Sequence, residues 1–522
     1  MTRFFIKTLL PLALVLILSI SNALATNVGD SLIVGIQSVK TTLIQPLDPV
    51  ERDIMSVYDL VYESLVTIDD DYLPQPGLCE SWEESGGGKT WTFHLRENIF
   101  FSDGTPMTAA DVVATAQYIL DRANEEDSQN PGYYYNLKYF VKSISASGDN
   151  TVVVKTAKGR NYWGVLYAMT FPVLPKDRVA AENPPGTGAY MISTFNAGDY
   201  IWLQQNPHWW QTRPQVQEIM FIIHNTPNAV IESYEYARVD TVFTRSIAAA
   251  QHKNGSTSLA LDYRTNQLET LLINHRSFPL DSLSVRKAIR YLVDPDKIAK
   301  QVYMGMVERT DTPMIPGTWM YNDTLSSHFV TDVAAARTLL EEDGWYDTDE
   351  DGILDKLDAK GNKKNLHLRI FVYEEPDNNV RVETANMIAD MLRQVGISVK
   401  IEIMTFTDIQ AKLKAASFDL ALASFAMDVC PDPGYLLMTG NTGNYGLYKS
   451  NDMTNLCKDL RTQTTQSGYQ HSLWDIQSRF AEDVPFICLF YRSGSVLTRQ
   501  MYTTARDVRE LELLRGIETF HP

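Results

Sequence analysis

Cysteine is scarce in this chain. Four occur in 522 residues (Cys79, Cys430, Cys457 and Cys488), and no two form a Cys-x-x-Cys pair. A disulfide framework or a thiolate metal centre is therefore not what holds the fold. Four cysteines allow three pairings that spacing does not choose between, and buried thiols or one incidental disulfide suffice for a core this large. The nine histidines are dispersed, with no His-Glu-x-x-His spacing, and no Gly-x-Ser-x-Gly nucleophile elbow occurs. Pro184-Pro185-Gly186-Thr187-Gly188 is glycine-rich but lacks the Lys-Ser/Thr and the following helix of a phosphate loop. Positive charge is also short: 46 Lys and Arg stand against 64 Asp and Glu, a formal net charge of −18. Such a surface repels nucleic acid and anionic lipid, so neither is an expected partner.

What the chain does have begins at its N-terminus. Arg3 and Lys7 precede an apolar run from Leu9 to Ile20, and Ala23-Leu24-Ala25 follows. A basic region, a short apolar region and a small-x-small site predict a cleaved signal peptide over residues 1–25. The run is too short for a permanent membrane helix, and no second long one follows. No cysteine near the cleavage site offers a lipid anchor. A free periplasmic protein is expected; losing two positive residues takes its charge from −18 to −20.

Hydrophobic periodicity divides the chain into alternating elements. Strands are expected at Leu32–Ile36, Thr90–Leu95 and Thr151–Lys155. Helices are expected over Asp53–Leu65 and from an N-cap at Thr108 through Leu120, with Asp111 in the capping-box position. In the second half, a helix over Val285–Val302 and one capped by Thr331 and ending at Gly344 precede the strand Leu366–Val372. Helix Val380–Val395, stopped by Gly396, leads to strand Ile397–Ile403, a further helix and strand Phe418–Ser424. That order predicts a largely parallel sheet covered by helices. A long helix near Tyr469–Asp483 leads to a last strand, Phe486–Tyr491. No internal repeat, low-complexity tract or soft linker separates the parts.

Several stretches read together as a pattern. Leu78-Cys79-Glu80-Ser81-Trp82-Glu83 is followed by Trp91-Thr92-Phe93-His94-Leu95-Arg96 and Phe101-Ser102-Asp103-Gly104-Thr105-Pro106, then Thr108-Ala109-Ala110-Asp111-Val112. Gly186-Thr187-Gly188-Ala189-Tyr190, Asn206-Pro207-His208-Trp209-Trp210 and Val285-Arg286-Lys287-Ala288-Ile289 recur further on. The chain resembles the extracytoplasmic solute-binding proteins of peptide-type ABC importers, family 5, over nearly all its mature length. The resemblance implies an α/β fold: a clamshell of two α/β lobes with a strand-exchanging hinge (class II) and an enlarged first lobe. Residues 26–66, 184–265 and 488–522 are expected to form lobe I, 67–183 an extra subdomain of it, and 266–487 lobe II. It implies a monomer that binds a peptide or other small solute without chemistry and passes it to inner-membrane permease subunits.

Ser424-Phe425-Ala426-Met427-Asp428 follows a buried strand, at the sheet edge where open α/β folds bind ligands. Relatives carry Trp-x-x-Asp here, the Trp touching the peptide and the Asp pairing with its α-ammonium group. Phe425 and Asp428 match that spacing; the alternative is a turn cap and a core ring. Tyr133-Tyr134-Tyr135 and Asn161-Tyr162-Trp163 are candidate cleft aromatics, or ordinary packing. Glu374-Glu375-Pro376-Asp377 departs from the pattern, because Glu375 stands where dipeptide-binding relatives place the arginine that holds the ligand carboxylate. Strict dipeptide binding is thereby disfavoured. Longer peptides, or a nickel chelate, oligosaccharide or other cationic solute on the same scaffold, compete. A secreted hydrolase is the reading from another class. No cofactor is expected, except that Asp347, Asp349, Asp351, Asp355 and Asp358 follow the Asp-x-Asp-x-Asp-Gly spacing of a calcium loop. A strand rather than an exiting helix follows, and a solvated acidic turn is the alternative.

Overall fold

A computed structural model describes residues 31–517 apart from 50, 126–131, 161–162, 254–258, 359, 376–377 and 500–507. The expected signal peptide, Asn161, Tyr162, Pro376 and Asp377 lie outside the described residues. Among the described residues no helix is long and apolar enough to cross a membrane.

One 11-stranded sheet runs through both lobes. On the lobe II side Ser398–Met404, His367–Tyr373 and Leu420–Ala426 lie side by side, the first two pairs parallel. On the lobe I side Thr241–Thr244, Ser31–Gln37, Glu218–His224, Tyr200–Gln205 and Tyr190–Asn196 follow in order. Two long antiparallel strands, Leu259–Ile273 and Phe486–Thr498, join the halves. Leu268–Leu272 pairs with Phe486–Tyr491 beside lobe II, and Leu259–Arg264 with Ser493–Thr498 beside lobe I. Between these ladders the register shifts from Arg264 to Leu268, and the chain passes from lobe to lobe.

Alternation along the strands sorts side chains to two faces. Leu420 and Leu422 join the core built on helices Leu283–Leu292 and Val380–Arg393. Ala421, Ala423 and Phe425 face the core of helices Asn451–Leu460 and Gln466–Asp483. The extra subdomain is a four-stranded antiparallel sheet in the order Cys79–Ser85, Thr90–Leu95, Thr151–Thr156, Val141–Ala146, with helix Ala109–Asn124 against it. That helix starts as expected: the Asp111 carboxylate accepts from the Thr108 backbone N–H and hydroxyl, both at 2.8 Å.

Four local expectations need correction. The helix expected to reach Leu65 ends at Asp59. The carbonyls of Leu60 and Val61 instead receive the amides of Tyr190 and Gly188, at 3.0 and 2.9 Å. The long helix at Val285–Val302 is two, Leu283–Leu292 and Pro295–Gln301, because Pro295 starts a new helix with Asp294 as its N-cap. Asp332, not Thr331, caps helix Val333–Glu342, accepting from the Ala335 amide. Strand Phe486–Tyr491 continues to Thr498. The four cysteines are buried free thiols.

Gly186 and Gly188 have ordinary negative-side backbone angles and are not there for a left-handed turn. They let two backbones touch: a Cβ on Gly186 would sit 1.9 Å from the Val61 carbonyl oxygen, and one on Gly188 2.6 Å from that of Leu60. Gly186→Ala is expected to cost about 1–3 kcal/mol or more, read as a lower denaturation midpoint. Gly198→Ala, where no atom lies within 4 Å of the added carbon, carries only the smaller cost of a positive φ.

Candidate functional site

The strand Leu420–Ala426 ends at the groove between the lobes. Phe425 is largely buried there, its ring stacked on Tyr445 at 6.3 Å and edge-on to Tyr435 at 6.4 Å. Two residues past the strand end, Asp428 turns into the groove. Its Oδ1 accepts from the Cys430 amide at 3.0 Å, and its Oδ2 lies 3.4 Å from the Asn136 side-chain amide of the opposite lobe. Asp428 keeps contact with solvent, yet protein from both lobes closes round it. That desolvation lifts its carboxyl above the usual range, against the opposing pull of the Cys430 and Asn136 amides. Tyr133 is exposed on the Asn136 side, facing Asp428, and desolvation together with the Asp428 charge pushes its hydroxyl up to about 12.

A cavity of about 760 Å³ lies beside the crossing strands. Asp53, Phe243 and Arg245 line it from lobe I, Glu374, Glu375 and Glu383 from lobe II, and Gln267 and Arg492 from the crossing strands. Glu375 does not face the cavity as a free acid. Its Oε1 accepts from Arg381 Nε and Nη2 at 3.1 and 2.9 Å and from Arg492 Nη2 at 2.8 Å. Arg381, 1% exposed, also makes a two-pronged bond to Glu269 at 2.8 and 2.9 Å, and Arg492 Nε lies 2.6 Å from the same glutamate. Burial raises the Glu375 carboxyl, but the two guanidiniums outweigh it and hold the group down at about 2. Arg245, on the far wall, is likewise bound to Asp53 at 2.7 Å and Glu510 at 2.8 Å.

Beyond Asp428 the lobes touch directly. Arg160 of the subdomain reaches Asp432 at 3.1 Å, and Arg461 of lobe II holds the same carboxylate at 2.7 Å. The Trp163 ring meets Trp319 and Tyr469 at 5.5 and 5.7 Å, and its amide donates to the Gln463 carbonyl at 2.6 Å. Cys430 is buried between the lobes beside Ile68 and Tyr167.

The acidic loop lies in lobe II. Asp347, Asp349 and Asp355 offer oxygens within 4.8 Å of one another. Lys363 already binds Asp349 and stands 3.4 Å from Asp355. Asp351 accepts from the Ile353 amide, and Asp358 is spent on the Lys360 and Asn362 amides of the next turn. Three of the five candidate ligands therefore converge, with Lys363 among them, while Asp351 and Asp358 bond within their own turns.

Asn136, Glu269, Arg381 and Arg492 escaped the reading of the sequence. Arg492 left a trace: it is a charge inside a strand that is largely apolar. Nothing local marked Asn136, which reaches the site only because the subdomain folds over the groove.

Glu375→Ala is expected to destabilise by about 1–3 kcal/mol, since it leaves Arg381 and Arg492 with Glu269 as their one remaining carboxylate. Because the folded carboxyl sits below its unfolded value of 4.5, its contribution is complete above that pH and is lost as pH falls toward about 2. An acid-unfolding series should show a steeper limb for the native chain than for Glu375→Gln. Since Lys363 supplies the counter-charge of the acidic loop, a chelator is expected to leave the melting temperature unchanged; a drop of several degrees would assign a metal there.

The family model for bacterial extracellular solute-binding proteins, family 5, matches residues 74–446. The oligopeptide-binding protein AppA of Bacillus subtilis is 24% identical, over 93% of this chain and 91% of its own. Its structure with a nonapeptide superposes with a TM-score of 0.69 at 22% identity, covering 94% and 98% of the two chains. The substrate-binding protein CtaP of Listeria monocytogenes gives 0.78 at 19% identity, over 94% and 99%. NikA of Brucella suis in complex with Fe(III)-EDTA gives 0.77 at 20%, over 94% and 99%. The chain shares the fold of these structures and belongs to the bacterial extracellular solute-binding proteins of family 5.

Proposed function

We propose that the protein captures an oligopeptide in the groove between its lobes, outside the cytoplasmic membrane, and hands it unaltered to the permease subunits of an ABC importer. The signal peptide expected over residues 1–25 delivers it to the periplasm, where it acts as a monomer. The observation that carries the reading is Asp428: one carboxylate, at the end of a buried strand, faced by Tyr133 and Asn136 of the other lobe. An α-ammonium group placed there gains a charge-assisted bond of about 1.5–3 kcal/mol. It also relieves the desolvation that Asp428 suffers alone. Phe425, through the Tyr435 and Tyr445 rings packed on it, sets the floor under that contact. A ligand that bridges both lobes favours the closed form by its extra contacts there. The named ligands of the relatives, an oligopeptide for AppA of Bacillus subtilis and D,D-dipeptides for DdpA of Escherichia coli, support this choice. The nickel-binding protein of Escherichia coli keeps a metal chelate as the competing cargo.

Thermal shifts with a pentapeptide library and with nickel–histidine decide between the two cargoes. Asp428→Ala is expected to weaken peptide binding at least tenfold with little change in melting temperature. The native chain's affinity for an ammonium-bearing ligand should also fall on acidification, beginning above the ordinary carboxylate range, because the raised Asp428 carboxyl takes up a proton early. Mass spectrometry of the recovered peptide should show no cleavage. Equal binding by Asp428→Ala removes Asp428 from the site.

A further inference from the structure

Two guanidiniums line the 760 Å³ cavity, and neither is free to hold an anion. Arg245 is bound by Asp53 and Glu510, and Arg492 by Glu375 and Glu269. Behind the wall, Arg381 completes a neutral set of two glutamates and two arginines. A ligand carboxylate entering the cavity would have to displace one of these partners, leaving a buried charge uncompensated. The remaining charges are negative. Glu374 and Glu383 line the same wall, both are exposed, and among the described residues no cation is paired with either. The lining is also partly apolar, with Val230, Phe243, Tyr303 and Val380. An alkyl stem with a charged head suits such a chamber, which offers apolar side chains beside the carboxylates of Glu374 and Glu383. Its volume lies within the range of about 300–1,000 Å³ usual for bound small molecules.

Resting on the peptide reading above, we propose that this cavity is a charge filter. It receives a lysine or arginine side chain of the ligand at Glu374 and Glu383, and Glu375 shuts out carboxylates by neutralising Arg381 and Arg492. Glu375 is thus a specificity-determining residue that touches its arginines and not the ligand. Its role is the reverse of direct repulsion: it withholds a binding partner that would otherwise be there.

The test is calorimetry on the full chain with three pentapeptides that differ only at the central residue: lysine, norleucine or glutamate. The native chain is expected to bind the lysine peptide at least tenfold more tightly than the norleucine peptide, and the glutamate peptide least. The double variant Glu374→Gln/Glu383→Gln should reduce the lysine preference below threefold. Glu375→Gln, which leaves Arg381 and Arg492 sharing one carboxylate, should strengthen the glutamate peptide at least tenfold. If Glu375→Gln does not fold, the double variant decides, since both its positions are exposed. Equal affinities of the native chain for the lysine and norleucine peptides overturn the charge filter while leaving peptide capture intact. Binding of none of the three, together with no shift from the pentapeptide library, overturns peptide capture and the filter with it.

Discussion

Backbone hydrogen bonding at the crossing between the lobes is the constraint from which the rest follows. Strands Leu259–Ile273 and Phe486–Thr498 belong to both halves of the sheet, and their ladder is interrupted where the chain changes lobes. Three residues, Thr265, Asn266 and Gln267, stand there opposite Arg492 alone. Buried amides and carbonyls freed by such a break must find other partners. The Thr265 hydroxyl donates to the Arg492 carbonyl at 2.7 Å, and the Asn266 amide to Glu510 at 2.9 Å. The Met427 amide takes the Asn266 carbonyl at 2.8 Å, and the Glu510 amide takes that of Arg264 at 3.2 Å. A bend satisfied largely by side chains and by a late segment is easier to reshape than a regular ladder. It also fixes what surrounds it. Met427 anchors the turn that presents Asp428, and Arg492 and Gln267 become the floor of the cavity.

The architecture was legible because it rests on short-range patterns. Alternation in Leu366–Val372 and Ile397–Ile403 and the Thr108–Asp111 capping box report physics that acts within a few residues. The failures came where a distant contact decided a local matter. The helix after Arg52 stops at Asp59 because the next two carbonyls serve a strand 130 residues away in sequence, Tyr190 taking that of Leu60 across that span. Gly186 answers a need for room against Val61, a residue 125 positions earlier, which composition does not report. Pro295 is the exception, a local signal that breaks an otherwise continuous apolar stripe.

The site divides in the same way. The expectation for Asp428 rests on a strand end and on a spacing shared with relatives, both of them sequential features. Glu375 could be noticed as a departure, but its meaning depended on Arg381 six residues on and on Arg492 in another strand. A lone acid in a sequence says nothing about which cations will surround it. Once they are known, its sign of influence changes: the carboxylate cancels local positive charge instead of adding free negative charge. Asn136 marks the limit of inference from one chain, since it meets Asp428 across 292 residues.

The C-terminal segment has a consequence for how the molecule assembles during synthesis. Arg509 and Arg515 donate to the carbonyl of Ile68, partners 441 and 447 residues apart. Strand Thr241–Thr244 likewise waits for Ser495–Thr498. A chain emerging N-terminus first leaves the edge of Thr241–Thr244 unpaired until almost its whole length has emerged. Unsatisfied strand edges invite intermolecular pairing, and long-range closure is slow. The N-terminal half therefore stays vulnerable until release of the final residues, and truncations near the end should harm solubility out of proportion to their length.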